Sequence, residues 1–456
     1  MGKNTQRRRA AKQRTRRQRG PTAARDGYRA ADGAGFSFRF GPGPDEQRRD
    51  AAARTLQQLL QAAAALPPSS LSLVVADELA TQDFASRDLM DEMASMRVRQ
   101  SLVAAWEHGW QPLDLVHFVR RSRARLAPLL GAAVTAQARA VHAEQRAPQA
   151  WLDQLGAVAE EALPAAPGGS GDRLVRSVLG QGMLVDVWTD LVQLLEMLTT
   201  LPVLEQLVPP PSAWGRPTAR SRPDDDASER GRLLNRIRTL LAKAENTEFA
   251  AEAETFTAKA QDLMTRHAID AALLHGSADD PIEVRGVRVH INNPYAAEKV
   301  HLLNQVARAN RSRAVWNDSL GLVTVLGTPV DVDQVEMLFT SLLIQATRAM
   351  AGAGARRAGS FDRSASFRRS FLMAYAVRIG ERLNETSDAA TASYGSALVP
   401  LLQRQTTAVR EEFDRLFPQT RQARAGRYNA LGWDAGRAAA DRAVFAAGRI
   451  SATPAS

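Results

Sequence analysis

From residue 46 to residue 208 the apolar side chains recur at helical intervals. Leu56, Leu59, Leu60 and Ala63 share one face, and Leu113, Val116, His117 and Val119 share another after the punctuation of Gly109 and Pro112. Further helices are predicted over 148–163 and 172–201, separated by a Pro- and Gly-rich loop at 164–171. The stretch 46–208 is therefore expected to be one all-helical domain of about five helices. Pro209, Pro210, Pro211, Pro217 and Pro223, followed by Asp224, Asp225 and Asp226, break the pattern. They predict an exposed, semi-stiff linker over 209–228, across which the helical domain moves independently.

Helical spacing resumes over 229–275. Leu233, Leu234, Ile237, Leu240, Leu241 and Ala244 fall on one face of a first helix; Ala253, Phe256, Ala260, Leu263 and Met264 fall on one face of a second, with a turn near Asn246. Two such stripes pair as a helical hairpin. A hairpin this small buries too little to be stable alone, so it is expected to pack on the C-terminal part of the chain, with Phe256 as a contact.

Beyond residue 280 the period shortens to two. Strands are predicted over 284–291, 314–316 and 322–326, with a helix over 296–309 between the first two. Thr328, Pro329 and Asp331 come after the last strand as cap, first-turn proline and third-position acid of a helix running to about residue 350. Three more helices are predicted over 366–384, 396–416 and 428–447. The fold class is thus mainly α: an N-terminal all-helical domain, a helical hairpin module at 229–275, and a C-terminal α+β part at 280–450 with a small sheet.

Charge changes the picture at one end. The chain carries 59 Lys and Arg against 49 Asp and Glu, a net +10. Ten of the basic residues lie within 1–25 (Lys3, Arg7, Arg8, Arg9, Lys12, Arg14, Arg16, Arg17, Arg19 and Arg25), where there is no acid, so the rest of the chain is neutral overall. Residues 1–45 continue through Gly33, Gly35, Gly41 and Gly43 and are read as a disordered basic arm. No apolar run succeeds the basic residues, as a secretory signal would need. The most hydrophobic later stretch, 183–208, is interrupted by Asp186, Asp190, Glu196 and Glu205, so no membrane span is expected. The absence of cysteine excludes disulfides, thiolate nucleophiles and cysteine-ligated metals, and suits a cytoplasmic location.

The hairpin carries a family resemblance. Arg236-Ile237-Arg238-Thr239-Leu240-Leu241-Ala242-Lys243-Ala244-Glu245, then Glu252-Ala253-Glu254 and Lys259-Ala260-Gln261-Asp262-Leu263-Met264, resemble the domain-of-unknown-function 2786 family in two blocks and in the right order. Phe256 stands where many relatives have a small residue. Residues 280–450, with Val325-Leu326-Gly327, Asp331-Val332-Asp333 and Arg369-Ser370-Phe371-Leu372, are similar to the uncharacterised domain that often accompanies this module in bacterial and phage proteins. The resemblance implies no reaction, cofactor or agreed site.

Clustered cations displace the counterions condensed on a polyanion, so Arg7, Arg8, Arg9, Lys12, Arg14, Arg16, Arg17 and Arg19 point to nucleic acid as partner. A solvated arm is the plain alternative. Arg356, Arg357, Arg368 and Arg369 form part of a second cluster, with Arg348 and Arg363, interleaved with Phe361, Phe367 and Phe371. Arginine beside aromatic rings suits single-stranded bases. Phe367 and Phe371, however, sit four apart on a predicted helix, and the favoured reading turns them inward. Within the hairpin, Glu252 and Lys259 share a face, but ordinary helix-surface pairing accounts for them. Asp331, Asp333 and Glu336 come after a strand and a glycine turn where Mg²⁺ can be held, or serve only the helix dipole. The seven histidines form no H-E-x-x-H, and no Walker or nucleophile-elbow motif occurs.

No metal or other cofactor is expected. The leading expectation is a non-catalytic cytoplasmic protein associating with nucleic acid through its arm. A metal-dependent enzyme acting on nucleic acid, or a protein-interaction scaffold, are the alternatives.

Overall fold

The computed structural model describes residues 43–162, 173–178, 182–215, 281–356, 364–393, 399–421 and 429–443. The basic arm at 1–25 and the hairpin module at 229–275 lie outside them. The described chain is mainly helical, with one three-stranded antiparallel sheet in its C-terminal region, as the periodicity predicts.

The N-terminal helices are α1 (Pro44–Ala65), α2 (Pro68–Thr81), α3 (Phe84–Glu107), α4 (Pro112–Arg123), α5 (Ala127–Ala140), the single turn α6 (Ala143–Arg146), α7 (Gln149–Glu161), the short α8 (Leu174–Val178) and α9 (Leu184–Thr199). The expected five are an undercount, because each punctuation mark ends a helix. Pro67 and Pro68 separate α1 from α2, and Asp83 caps α3 by accepting from the Ser86 amide at 2.7 Å. The helix expected over 172–201 is two helices, α8 and α9. Gly180 and Gly182 fall between them, and each glycine inside a helix costs about 1 kcal/mol relative to alanine.

Ala52, Leu56, Leu59 and Ala63 of α1 are buried together with Met90, Val98, Leu102 and Trp106 of α3 and Trp188, Leu191, Leu195 and Leu198 of α9. The amides that open α8 are satisfied from α3. Asp91 accepts from Val175 at 3.0 Å and Arg176 at 2.9 Å, and Ser95 Oγ accepts from Leu174 at 2.8 Å. Burial pushes the Asp91 carboxyl up, and those amides pull it back down.

The expected linker differs where it is described. Trp214 is only 7% exposed; its ring meets Trp151 edge-on at 5.5 Å, and Trp151 in turn meets Trp106 at 5.4 Å. Its indole donates to the Pro209 carbonyl at 2.9 Å, and Arg146 holds its carbonyl at 3.2 Å. Proline spacing reads as exposure, but one large aromatic outweighs it by burying its area beside Trp151.

The C-terminal part comprises β1 (Arg285–His290), α10 (Ala296–Ala309), β2 (Arg313–Asn317), β3 (Leu322–Gly327), α11 (Pro329–Arg356), α12 (Ala365–Ser393), α13 (Val399–Leu416) and α14 (Ala430–Arg442). The strands lie in the order β1-β3-β2, with Val287 opposite Val325 and Ala314 opposite Val325 on the other side. Alternation then assigns the two faces. Val287, Val289, Ala314, Trp316, Val323 and Val325 point into a core with Leu303 and Val306 of α10, Val335 and Leu342 of α11 and Phe371, Tyr375 and Ile379 of α12. Gly286, Arg288 and His290 point the other way, towards the N-terminal helices. Arg313 on that second face stacks over Phe413 of α13 at 5.1 Å.

The described residues from Arg48 onward fall in one compact unit, so the independent motion expected for the helical domain is corrected. The reason is polar contact across the junction. Arg288 on β1 donates to Asp114 on α4 at 2.8 Å, to the Gly109 carbonyl at 2.8 Å and to the Glu205 carbonyl at 2.6 Å. Gly109 takes φ +83°, and a side chain there would lie 2.3 Å from the Leu204 carbonyl, so this turn requires glycine.

The α12–α14 crossing also depends on glycine, for close approach. A Cβ at Gly432 would lie 2.5 Å from the Phe367 carbonyl, and one at Gly436 would lie 2.2 Å from the Phe371 carbonyl. Both obstacles are backbone, which cannot rotate aside. Gly436→Ala should therefore cost about 3 kcal/mol. A methyl group on Gly156 of α7 would meet nothing within 4 Å, so Gly156→Ala should leave stability unchanged or raise it by up to about 1 kcal/mol. Urea denaturation of both variants beside the native protein checks the pair; equal effects would show that the crossing is looser than these distances require.

Candidate nucleic-acid interface

Arg7, Arg8, Arg9, Lys12, Arg14, Arg16, Arg17 and Arg19 lie outside the described residues, as do Leu240, Leu241, Glu252, Ala253, Lys259, Ala260, Leu263 and Met264 of the hairpin. Of the second arginine cluster, Arg356 ends α11, and Arg357 lies outside the described residues. Arg368 and Arg369, in the first turns of α12, are exposed. The aromatic residues expected beside them divide from them: Phe367 is 2% exposed and Phe371 is fully buried, stacked on Tyr375 at 6.4 Å. The inward reading of these two rings is the correct one, because their spacing of four puts both on the face of α12 that meets the sheet-bearing core.

The acidic trio is likewise drawn apart. Thr328 donates to Asp331 at 2.9 Å and accepts from the Asp331 amide at 3.3 Å, a reciprocal cap on α11. Arg311 is ion-paired with the same carboxylate, and Arg285 with Asp333. Glu336 is exposed on the next turn. Among the described residues no three His, Asp or Glu side chains are placed to hold a metal ion, and no helix is long and apolar enough to cross a membrane.

Alternation and periodicity missed a buried polar cluster at the junction of the two halves. The Asp114 carboxylate, 3% exposed, accepts from Arg288, 2% exposed, and bonds His290 Nε2 at 2.9 Å. The His290 ring stacks on His117 at 4.7 Å, and Arg121, one helical turn further along α4, donates to the Asp318 carbonyl at 3.1 Å. The one signal in the sequence is Asp114 itself, a lone acid inside the apolar run Leu113-Asp114-Leu115-Val116. In β1, Arg288 and His290 alternate with valines and so read as a solvent face. Within the cluster the Arg288–Asp114 pair is fully engaged: each oxygen of Asp114 is bonded, and the guanidinium is shared with two carbonyls.

Burial, reinforced by the neighbouring His290 and Arg121, lowers His117 to about 4 from its ordinary 6.5. The folded form thus refuses a proton that the unfolded chain accepts. Its contribution to stability is complete above pH 6.5 and is lost progressively as pH falls towards 4, at up to about 1.4 kcal/mol per pH unit. Between pH 7 and pH 5 the native protein should lose about 2 kcal/mol more than His117→Gln, measured by urea unfolding at the two pH values. His301, also lowered by burial, titrates in both proteins and cancels in the comparison.

Searches of curated proteins and of solved structures give no match. A match does occur to one family model, described as "Protein of unknown function (DUF2786)", over residues 232–271. That span coincides with the two sequence blocks over 236–264, between the last described residue of the N-terminal part and β1, so the chain carries a DUF2786 module there.

Proposed function

We propose that this is a cytoplasmic, non-catalytic protein that associates with nucleic acid through its Arg-rich N-terminal arm, the folded parts serving as interaction modules. The observation that carries this reading is the confinement of the whole net charge of +10 to residues 1–25, with equal numbers of acidic and basic residues in the remainder. An arm of this composition binds phosphates by releasing their condensed counterions and needs no fold of its own. The polar chemistry of the folded body supports the same reading. Asp331 and Asp333, the carboxylates on which a metal-dependent nuclease would rest, are ion-paired with Arg311 and Arg285, and Asp331 also closes a helix cap.

A protein beginning at Asp26 should bind DNA and RNA more weakly than the full-length chain. The logarithm of its affinity should also fall less steeply with the logarithm of salt concentration, by about 0.9 for each lost phosphate contact on duplex DNA. Equal affinity and equal salt slope for the two proteins would exclude the arm as the binding element.

A further inference from the structure

Among the described residues, α10, α11, α12 and α14 all bury side chains in the core beneath the sheet, whereas no side chain of α13 joins either core. Yet α13 is amphipathic in sequence. Leu401, Leu402, Ala408, Val409, Phe413 and Leu416 fall on one side of the helix, and the exposed Gln403, Thr407, Arg410 and Asp414 fall on the other. Of the six apolar residues only Val409 is buried, at 1% exposure; the other five are half-buried. The helix rests on β2 and β3, where Arg313 lies over the Phe413 ring at 5.1 Å. Val409 and Phe413, four apart, address the sheet together. Leu401 and Ala408, seven apart, lie about 100° round the helix from them. The sheet thus covers one flank of the stripe and leaves the other half open, which a second apolar surface laid over it would stabilise.

Where the chain re-enters the body limits what that surface can be. Arg285 of β1 stands opposite Gly327, and Arg313 of β2 opposite Leu326, so the two strands flank the same end of β3, about 10 Å apart at the usual strand spacing. Described chain resumes at residue 281, four residues before β1. The nine residues 272–280 that join it to the DUF2786 match span at most about 30 Å. At 18 residues α13 is about 27 Å long, and its Phe413 end is the end beside Arg313, so the helix lies within reach. The matched sequence carries apolar residues at helical spacing over 233–244 and 253–264, a length that buries too little to be stable by itself.

We propose that α13 is the docking surface of the DUF2786 module, with residues 232–271 lying over the flank marked by Leu401 and Ala408. The inference concerns how the module is joined to the body and does not rest on nucleic-acid binding. It gives the least buried helix of the C-terminal part a purpose, as the seat of the family segment.

The chain contains no cysteine, so an introduced thiol is a single attachment point. Leu401→Cys and Ala408→Cys on the open flank, and Gln403→Cys on the opposite side, are each made in the full-length protein and labelled with a photoactivatable crosslinker. Isotopically heavy and light protein are mixed before irradiation, and the joined peptides are identified by mass spectrometry. Both flank positions should capture peptides within 232–271 of the same chain, and the Gln403 position should lose that product. Crosslinks joining heavy to light chains would make α13 an interface between copies and overturn the proposal. Crosslinks confined to other segments, or none, overturn it as well. A label that displaces what it probes is guarded against by hydrogen exchange of Ala408→Asp beside the native protein. Amides within 232–271 should exchange about tenfold faster or more in the variant, the factor that a contact worth about 1.4 kcal/mol maintains, while those of the three strands keep their native rates. Unchanged exchange within 232–271 overturns the docking.

Discussion

The ion pair of Arg288 and Asp114 is the constraint around which the two halves of this molecule are arranged. Both groups are withdrawn from water, at a desolvation cost that only complete hydrogen bonding offsets. The structure meets that requirement by bringing four separate segments to one point: α4 with its carboxylate, the Gly109 turn and the extended segment at Glu205 with their carbonyls, and β1 with its guanidinium. Removing one member leaves the others buried without partners, which is far more damaging than the pair is stabilising. Such a pair therefore acts chiefly on specificity. Sliding β1 by one residue would present a valine to Asp114 and turn Arg288 into the opposite core, so the strand register and the docking of the helices determine each other.

The other contacts fall into place on either side of this pair. One core lies among α1 to α9 and reaches Leu320 and Leu322 at the β2–β3 turn; the other lies between the sheet and α10, α11 and α12. β3 is buried along its whole length because it has a neighbour on each edge and apolar material on each face. At the far side α12 and α14 run close enough that their contact is glycine against backbone. There Arg378, Glu381, Arg437 and Asp441 form a network along the outside of the crossing. Those charges are largely accessible to solvent, so they fix orientation more than they add stability.

Much of this was legible in the sequence wherever one physical effect acted alone. The strands around Val287, Val315 and Val323, the helix Ala296–Ala309 and the Thr328 cap follow from spacing and local hydrogen bonding. So does the inward turn of Phe367 and Phe371. The failures share a cause, which is that two distant segments complete each other. Pro209 to Pro211 signal an exposed linker unless Trp151 is waiting for Trp214. Arg288 and His290 signal a wet strand face unless a helix brings Asp114 to them. The hydrophobic period reports that a position is polar; it does not report which polar group, many residues away, will meet it. The DUF2786 module was recognisable from its two blocks for the opposite reason, because its signature is local.

One contact, between Leu207 and Gly286, has a topological consequence. A Cβ on Gly286 would stand 2.6 Å from the Leu207 side chain, so the chain leaves the N-terminal helices and returns to the sheet at neighbouring points. The stretch of sequence between these positions, which includes the match to DUF2786, therefore begins and ends at neighbouring points of the fold. The body on either side is already joined through Arg288 and Asp114 without it. Joining two neighbouring points depends only weakly on the number of residues between them, since each doubling of a flexible loop costs about 0.6 kcal/mol in closure entropy. The register of β1, set at the junction by Arg288 and Asp114, is thereby independent of how many residues run between Leu207 and Gly286.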